Sequence, residues 1–370
     1  MRICLVSNCN NRHIERLAGY LISRGHDVHL IAWNIKATFP SKVHIHKLNS
    51  SKIPIYREIS WILQTRRLVK QIRPDLLNGQ YITTYGFIAA CTGFHPLVIT
   101  ALGSDILIDP WQNLFWRFTV RFAIRKADRV ILLFSPDTAV KQISKLGTSN
   151  SKLRYSFFGV DTDLFYRSNK NLSLANKIGI NTSKYTVINT RNYGPVYDIN
   201  TFIRAIPLVL KEVPETQFII LCWLKYDGAL DMLVRQLAIS KNVLFIERIE
   251  HSDMPLLLSL MDVYVSTSLS DGASNSLFEA MACEVAPVVT DIPANRPWII
   301  DSENGFLFKP GDYTTLAKKI IHLLKSSGIR ESFGTRGREI VRQKAEQGIG
   351  MAKIEAIYHE LVVEYSVSKP

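Results

Sequence analysis

The sequence has few of the features that define membrane-spanning or disulfide-stabilised proteins. No apolar run approaches the roughly 18 residues that a spanning helix needs. The apolar run at residues 3–6 is also too short for a signal peptide, and it predicts a first buried strand. Five cysteines lie scattered at positions 4, 9, 91, 222 and 283, with no C-x-x-C pair. We therefore expect no disulfide framework and no metal site, and a cytoplasmic location.

Length and composition indicate a globular protein of two domains. The chain has 370 residues, of which 47% are hydrophobic and 21% charged. That length exceeds one ordinary hydrophobic core and suits two α/β domains.

Charge is concentrated in the first half of the chain. Residues 1–165 contain 22 Lys and Arg against 10 Asp and Glu, whereas the remainder contains 23 against 22. This asymmetry suggests a polyanionic partner for the first half, such as an anionic membrane, a lipid-linked phosphate or a nucleic acid. A basic surface that only serves solubility is the alternative.

Short aliphatic runs alternate with amphipathic stretches, which predicts parallel sheets covered by helices on both faces. In the first half, strands are expected at 2–7, 27–33, 43–48, 75–77, 97–101 and 129–134, and helices at 12–24, 57–72, 111–126 and 136–146. In the second half, strands are expected at 185–190, 216–223, 242–246, 262–266, 286–290 and 305–308, with a helix at 198–213.

The pattern breaks once, in a polar stretch, and this break suggests the domain boundaries. We predict an N-terminal domain over residues 1–165, a linker over 166–184 and a C-terminal domain over 185–345. The remaining segment, 346–370, has a helical pattern and can pack back on the first domain.

The segment 270–283, SDGASNSLFEAMAC, offers the strongest candidate site. It follows an apolar strand, so Asp271 lies just past the carboxyl end, where open parallel sheets bind ligands. A helix beginning near Ser274 presents free N–H groups to a diphosphate. Gly272, Ala273, Ser274, Asn275 and Ser276 line that approach, and Glu279 could accept both hydroxyls of a ribose. Alternatively, Asp271 caps the helix and Glu279 is a solvated surface residue.

This segment resembles the E-x7-E signature of the family 4 retaining glycosyltransferases. Asp271 and Glu279 stand at its two acidic positions, and residues 279–282 match the usual E-A-M-A. The first acid is Asp where the family has Glu. The resemblance implies an α/β protein of the GT-B fold, in which two Rossmann-like domains with parallel sheets face a central cleft.

Six further stretches follow the order of the family's motifs. They are R-P-D at 73–75, G-S-D at 103–105, A-D-R-V at 127–130, G-V-D-T-D-L-F at 159–165, P-V-V at 287–289 and N-G-F-L at 304–307. The resemblance thus extends over nearly the whole chain.

The same resemblance implies roles for residues outside the acidic motif. Arg191, which follows the first strand of the second domain, would hold the donor's diphosphate. The lysine usually found about five residues later is absent, so Tyr197 or Lys225 would take its place. Asn295 and Arg296 would contact the donor sugar or begin a helix, and Asp105 would serve the acceptor side.

The chain also departs from the family at three loops. Residues 8–11 lack the usual glycine pair, Leu102 replaces a histidine, and residues 223–228 lack a G-x-G. These departures leave the fold prediction unchanged, but because of them the sequence does not indicate which nucleotide the donor carries.

Two stretches of the basic half combine aromatic and basic residues. Residues 110–126 place aromatic side chains at helical spacing among arginines, and residues 56–73 repeat the pattern. Such helices could lie on an anionic leaflet. Alternatively, the apolar stripe faces the core.

We therefore expect a retaining hexosyltransferase that uses a nucleoside-diphosphate sugar, without cofactor or metal. Its acceptor would be a glycan or a lipid-linked sugar in cell-surface polysaccharide or glycolipid synthesis, and the protein would be peripheral to the inner face of the cytoplasmic membrane. The first alternative is a non-catalytic sugar-nucleotide or glycan-binding protein on the same fold. An epimerase or phosphorylase would consume its sugar without an acceptor alcohol. We expect no nucleic-acid partner, since no reading helix or aromatic RNA motif is present.

Overall fold

The computed structural model describes residues 1–9, 12–33, 35, 39–50, 54–133, 142–146, 150–222 and 228–367. The chain forms two compact units, one of residues 1–158 with 348–370 and one of residues 159–347. Most of the predicted helix at 136–146 and the loop containing Lys225 lie outside the described residues.

In the first unit, the described strands form one parallel sheet. The strands are β1 Arg2–Val6, β2 Asp27–Ala32, β3 His44–Lys47, β4 Leu76–Gln80, β5 Leu97–Ala101, β6 Arg129–Leu132 and β7 Leu153–Tyr155. They follow the order β3-β2-β1-β4-β5-β6-β7, and the chain order reverses between β1 and β4, which pair directly with each other.

Helices cover this sheet, as the alternating sequence pattern predicts. They are Arg12–Ser23, Pro54–Ile72, Phe87–Cys91, Ser104–Leu107, Asp109–Gln112, Leu114–Lys126 and Gln347–Val367, with a π-helical turn at Ile82–Gly86. The last of them, far away in sequence, buries Met351, Ile354 and Tyr358 in the core of the first unit. Its Glu355 accepts hydrogen bonds from Tyr20 and Arg24 at 2.9 and 3.3 Å.

Strand β4 extends three residues beyond the predicted end at residue 77. The sequence pattern missed this end because polar residues occupy it although it is buried. Asn78 is fully buried. Its side-chain amide donates to Thr100 Oγ1 at 3.0 Å and to the Val98 carbonyl at 3.2 Å, so its polar atoms are satisfied within the sheet. Gly79 has no room for a side chain, since a Cβ there would lie 2.7 Å from the Gly86 Cα.

The predicted helix at 111–126 is two helices. Asn113 adopts extended geometry between them, and its Oδ1 accepts from the Trp116 N–H at 2.9 Å, which caps the second helix. That helix buries Thr119, Val120 and Ala123. Leu114, Phe115 and Phe118 are 82, 62 and 59% exposed, so the interpretation of this stripe as core is wrong for these three residues.

The aromatic–basic stretch on Pro54–Ile72 divides between core and surface. Trp61 is buried, and its ring stacks on Trp33 with centroids 4.0 Å apart. Tyr56, Ile59 and Leu63 are exposed.

The second unit contains a parallel sheet whose described strands follow the order β10-β9-β8-β11-β12-β13. The chain order reverses between β8 and β11, which pair directly. The strands are β8 Tyr185–Asn189, β9 Thr216–Leu221, β10 Val243–Ile246, β11 Val263–Ser266, β12 Ala286–Thr290 and β13 Phe306–Phe308. The helices are Leu172–Ile178, Ile199–Glu212, Ala229–Gln236, Met254–Leu258, Asn275–Ala282, Tyr313–Lys325 and Ser327–Lys344.

Residues 166–184, predicted as a linker, belong to this second unit and include the helix Leu172–Ile178. Leu174 and Ala175 of that helix are buried. Among the described helices of the chain, none has both the length and the apolar character needed to cross a bilayer.

Candidate functional site

The candidate site lies at the carboxyl edge of the second sheet, where the strand order reverses. Arg191 follows the end of β8 by two residues, and Asp271 follows β11. Strands β8 and β11 are neighbours in the sheet although they are not consecutive in the chain, so the loops that follow them start side by side at its carboxyl edge. In doubly wound sheets, ligands bind at this point.

Arg191 joins the two loops through its guanidinium. Its Nη2 lies 2.8 Å from Asp271 Oδ2, and its Nη1 donates to Ser276 Oγ at 2.9 Å and Ser274 Oγ at 3.1 Å. The guanidinium carbon also lies 4.7 Å from the centroid of the Tyr197 ring. The structure thus brings together five of the residues that the sequence predicts for the donor site.

The guanidinium is held as a cation although it is buried. Burial by itself would lower the pKa of Arg191, but the Asp271 carboxylate, with Tyr264 and Tyr197, raises it overall. Its Nε has no hydrogen-bond acceptor among the described residues. A buried donor without an acceptor costs about 1–3 kcal/mol, so this atom favours an anionic ligand.

The helix Asn275–Ala282 adds a second feature that favours an anion. Ser274 is its N-cap residue, but the Ser274 side chain accepts no capping hydrogen bond within the described chain. The Ser274 hydroxyl instead accepts from Arg191. The positive end of the helix dipole therefore lies beside the guanidinium, and the two together favour an anion.

Glu279 lies one turn further along this helix and faces a histidine. Its Oε1 is 3.3 Å from His251 Nε2, and the two side chains are 13 and 19% exposed. The His251 ring packs edge-on against Phe165 at 5.2 Å. Sequence reasoning missed His251, because a single histidine in a short 3-10 turn, His251–Asp253, carries no motif.

Two hydrogen bonds and one buried tyrosine hold the two loops in place. The Thr267 hydroxyl donates to the Tyr197 carbonyl at 2.8 Å, and the Leu269 N–H donates to the Val196 carbonyl at 2.8 Å. Tyr264 is fully buried in β11, with its hydroxyl 3.0 Å from Ser276 Oγ. The hydroxyl of a tyrosine buried in a core strand needs a hydrogen-bond partner. The presence of a tyrosine in this apolar strand is therefore the sequence signal that could have identified Tyr264 as a site residue.

Other predicted site residues lie in the surrounding loops. Gly272 donates its N–H to Asp271 Oδ1 at 2.9 Å, which tightens the turn before the helix. Ala273 and Asn275 are half-buried in the same turn. Asn295 is buried and donates to the Thr290 carbonyl at 2.9 Å, whereas exposed Arg296 pairs with Asp291 at 2.7 Å. These last two contacts stabilise the loop after β12, and a role in sugar binding stays a prediction for both residues.

Asp105 lies in the first unit and is fully buried. Its carboxylate accepts N–H groups from Ile82 at 2.8 Å, Gly103 at 2.9 Å and Leu102 at 3.0 Å. Burial raises the pKa of Asp105 to about 6, although these hydrogen bonds oppose the rise. The geometry is that of a residue that shapes the loop after β5, and its assignment to the acceptor stays a prediction.

Two parallel α/β sheets with these strand orders, and a cluster of polar side chains at the switch point of the second, define the GT-B class of fold. Residues 2–133 match the family model "Glycosyl transferase 4-like", and residues 172–340 match "Glycosyl transferases group 1". The chain belongs to the group 1, family 4-like glycosyltransferases, which the order of its sequence motifs also indicates.

Individual relatives are distant. The capsular polysaccharide biosynthesis glycosyltransferase CapM of Staphylococcus aureus is 25% identical over 45% of this chain and 43% of its own length. A GDP-mannose-dependent monoacylated phosphatidylinositol monomannoside mannosyltransferase of Corynebacterium glutamicum is 27% identical over 38% of each chain. The chain thus spans less than half of these two curated relatives.

One solved structure covers the whole chain. Anabaena HepE in complex with UDP-glucose superposes with a TM-score of 0.80 at 18% identity, over 100% of both chains. At that identity the similarity establishes the fold.

Proposed function

We propose that this chain is a retaining glycosyltransferase that moves a hexose-type sugar from a nucleoside diphosphate to a glycan or lipid-linked acceptor. One observation carries the proposal. The buried Arg191 guanidinium lies beside the uncapped N-terminus of Asn275–Ala282, at the switch point of the sheet. A buried cation beside the positive end of a helix dipole forms a site suited to a diphosphate.

The reaction gives each group a distinct task. As the bond between the sugar and the diphosphate breaks, negative charge develops on the leaving phosphate, and Arg191 stabilises that charge. Ser274 and Ser276 hold the guanidinium in position through their hydroxyls. Glu279 accepts hydroxyls of the ribose, and Asp271 accepts hydroxyls of the transferred sugar. We assign no general base.

The Arg191–Asp271 ion pair links donor binding to the arrangement of the site. Both side chains are at least 85% buried, so the pair sits in a low-dielectric environment where each partner strongly orients the other. A bound diphosphate shares Arg191 with Asp271, and the carboxylate then turns toward the sugar. This rearrangement is part of our proposal.

The alternative is a non-catalytic sugar-nucleotide-binding protein. It draws support from the same ion pair, because Asp271 already neutralises the one predicted diphosphate cation that lies within the described residues. Binding of a donor without any turnover would favour this alternative.

A thermal-shift panel tests donor binding and identifies the nucleotide. We expect one class among UDP-, GDP-, ADP- and CMP-sugars to stabilise the protein. A ligand at 100 times its dissociation constant contributes about 2.7 kcal/mol, a shift of about 5–10 °C for a domain of this size. The shift should shrink to about half or less in Glu279→Ala, whose affinity for the donor we expect to be about 10- to 100-fold weaker, and it should persist in Arg248→Ala, which removes only an exposed ion pair of the same unit. If no nucleotide sugar shifts the unfolding temperature, the donor site is wrongly assigned.

We further propose that the protein docks on an anionic membrane through the exposed face of Leu114–Lys126. Leu114, Phe115 and Phe118 project from this helix, and a groove beside Phe118 is lined by Arg117, Arg121, Arg125 and Lys126. Apolar side chains that enter the interface beside cations matching lipid phosphates are the features of an interfacial helix. A glycolipid-linked acceptor would be presented at such a surface.

Vesicle sedimentation at low salt tests this docking. Each arginine near an anionic leaflet contributes about 1 kcal/mol, so Arg121→Ala should weaken binding to phosphatidylglycerol-containing vesicles about fivefold. Phe118→Ser should also weaken it, whereas Arg342→Ala, at an exposed position of the second unit, should have no effect. Equal binding by all variants, or no binding to anionic vesicles by the parent protein, would remove the membrane proposal.

A further inference from the structure

A group of imidazoles and one carboxylate lies on the first unit, on strands that contribute nothing to the donor site. Strands β2 and β3 pair in parallel, with His29 directly opposite His44. Asp27 precedes His29 by two residues and His46 follows His44 by two, so all four side chains point to the same face of the sheet. In the described sheet β3 is the edge strand, and His44 is 61% exposed, which leaves the group accessible from solvent.

The distances within this group match a metal site better than a set of hydrogen bonds. His29 Nε2 and His44 Nε2 lie 3.3 and 3.4 Å from the same atom, Asp27 Oδ1. Charge-assisted N–H···O⁻ bonds are shorter, about 2.7–2.9 Å. Ligands at 2.0–2.1 Å from a tetrahedral Zn²⁺ lie about 3.3–3.4 Å from one another. The three ligand atoms all lie within 4.8 Å of one another.

The remaining polar contacts leave the required atoms free. Arg2 Nε binds Asp27 Oδ2 at 2.8 Å, so the other oxygen, Oδ1, faces the imidazoles. His29 Nδ1 lies 2.9 Å from His46 Nε2. With its proton on Nδ1, His29 donates to His46 and presents a lone pair on Nε2. An imidazole held through its second nitrogen is the usual arrangement around a metal ligand.

We propose that Asp27, His29 and His44 form a Zn²⁺ site on the edge of the first sheet, with His46 as a positioning residue and a fourth ligand position open to solvent. Two nitrogens and one oxygen suit zinc, and an open position allows a water or a phosphate oxygen to complete the tetrahedron. The site was not expected from the sequence, which lacks paired cysteines. The site forms because β2 and β3 pair in this register. The pairing brings the D-x-H segment at 27–29 next to the H-x-H segment that begins 17 residues later.

A second histidine group serves as an internal comparison. His26, Glu355 and His359 also lie close together. There, however, His26 Nε2 lies 2.9 Å from Glu355 Oε1, a hydrogen-bond distance, and Tyr20 and Arg24 occupy the same carboxylate. A metal would have to displace these contacts, so we expect no tight site at Glu355.

Zinc titration of the 370-residue chain without a polyhistidine tag tests the assignment. We expect one equivalent of Zn²⁺ to bind, measured by calorimetry and by metal analysis after dialysis. His44→Gln should weaken binding at least tenfold, and His46→Gln should weaken it about 10- to 100-fold through lost positioning of His29. His359→Gln should leave the affinity unchanged.

Unfolding temperatures measured with chelator separate metal binding from folding. His44 is largely exposed, so His44→Gln should unfold at the same temperature as the parent without zinc and should lose the zinc-induced stabilisation. Absence of zinc binding in the parent protein would overturn the proposal. Loss of binding in His359→Gln, with full binding in His44→Gln, would also overturn it and move the metal to Glu355.

Discussion

Arg191→Ala is expected to lower kcat/KM for the donor by a factor of about 10²–10³. Removal of one preorganised donor to a developing oxyanion costs about 2.7–4 kcal/mol in comparable sites. The Arg191 guanidinium contacts Asp271, Ser274 and Ser276. None of these three side chains carries a positive charge, so none of them can take over its role. Steady-state kinetics with the nucleotide sugar selected by the thermal-shift panel would measure the effect.

The same substitution also leaves Asp271 without its cation, and this effect must be separated from catalysis. Breaking one side of a buried ion pair destabilises a protein by about 3–5 kcal/mol. The double variant Arg191→Ala with Asp271→Asn removes both charges and should recover part of the stability without recovering activity. Arg248→Ala should keep parental kinetics. If Arg191→Ala retains activity within threefold of the parent, the donor-site model is wrong.

Glu279→Ala is expected to raise KM for the donor about 10- to 100-fold, with a smaller effect on kcat. A hydrogen bond to a charged acceptor contributes about 1.5–3 kcal/mol, and the ribose is remote from the bond that breaks. A contact that is equal in ground and transition states changes KM alone. Glu279→Gln should fall between the parent and Glu279→Ala, because the amide accepts one hydrogen bond without the charge.

A deoxy donor distinguishes ribose recognition from structural support by His251. The parent should use the 2′-deoxy form of the nucleotide sugar less well than the ribose form, and Glu279→Ala should show little preference between them. If the variant discriminates as strongly as the parent, Glu279 does not contact the 2′-hydroxyl, and its pairing with His251 would then be its main role.

Residues 270–283 show how much of the site the sequence can predict. A strand, a turn and a helix start follow from local pattern, and the spacing of Asp271 and Glu279 follows from the helix that begins at Asn275. These features depend on residues close together in sequence, so they can be predicted without knowledge of the tertiary structure. The contact between Arg191 and Asp271 follows from the resemblance and from the neighbouring positions of β8 and β11, not from pattern alone.

Features that depend on tertiary contacts escaped prediction. The end of β4 carries Asn78, Gly79 and Gln80, whose polarity argues for a loop until Val98 and Thr100 are known to supply partners for Asn78. Phe115 and Phe118 fit a core stripe by spacing, yet they are exposed, because Thr119 and Val120 turn the opposite face inward. The helical period identifies the faces of a helix but does not identify which one is buried.

The second unit is an insertion between the two parts of the first. Residues 159–347 are synthesised before residues 348–367, which complete the core around Met351, Ile354 and Tyr358. Since domains fold as units during synthesis, the second unit can finish folding while the first still lacks its closing helix. Until that helix emerges, the first unit exposes the apolar surface that it will cover. In the nascent chain, residues 1–158 are therefore the part most prone to aggregation and to chaperone binding, although they are synthesised first.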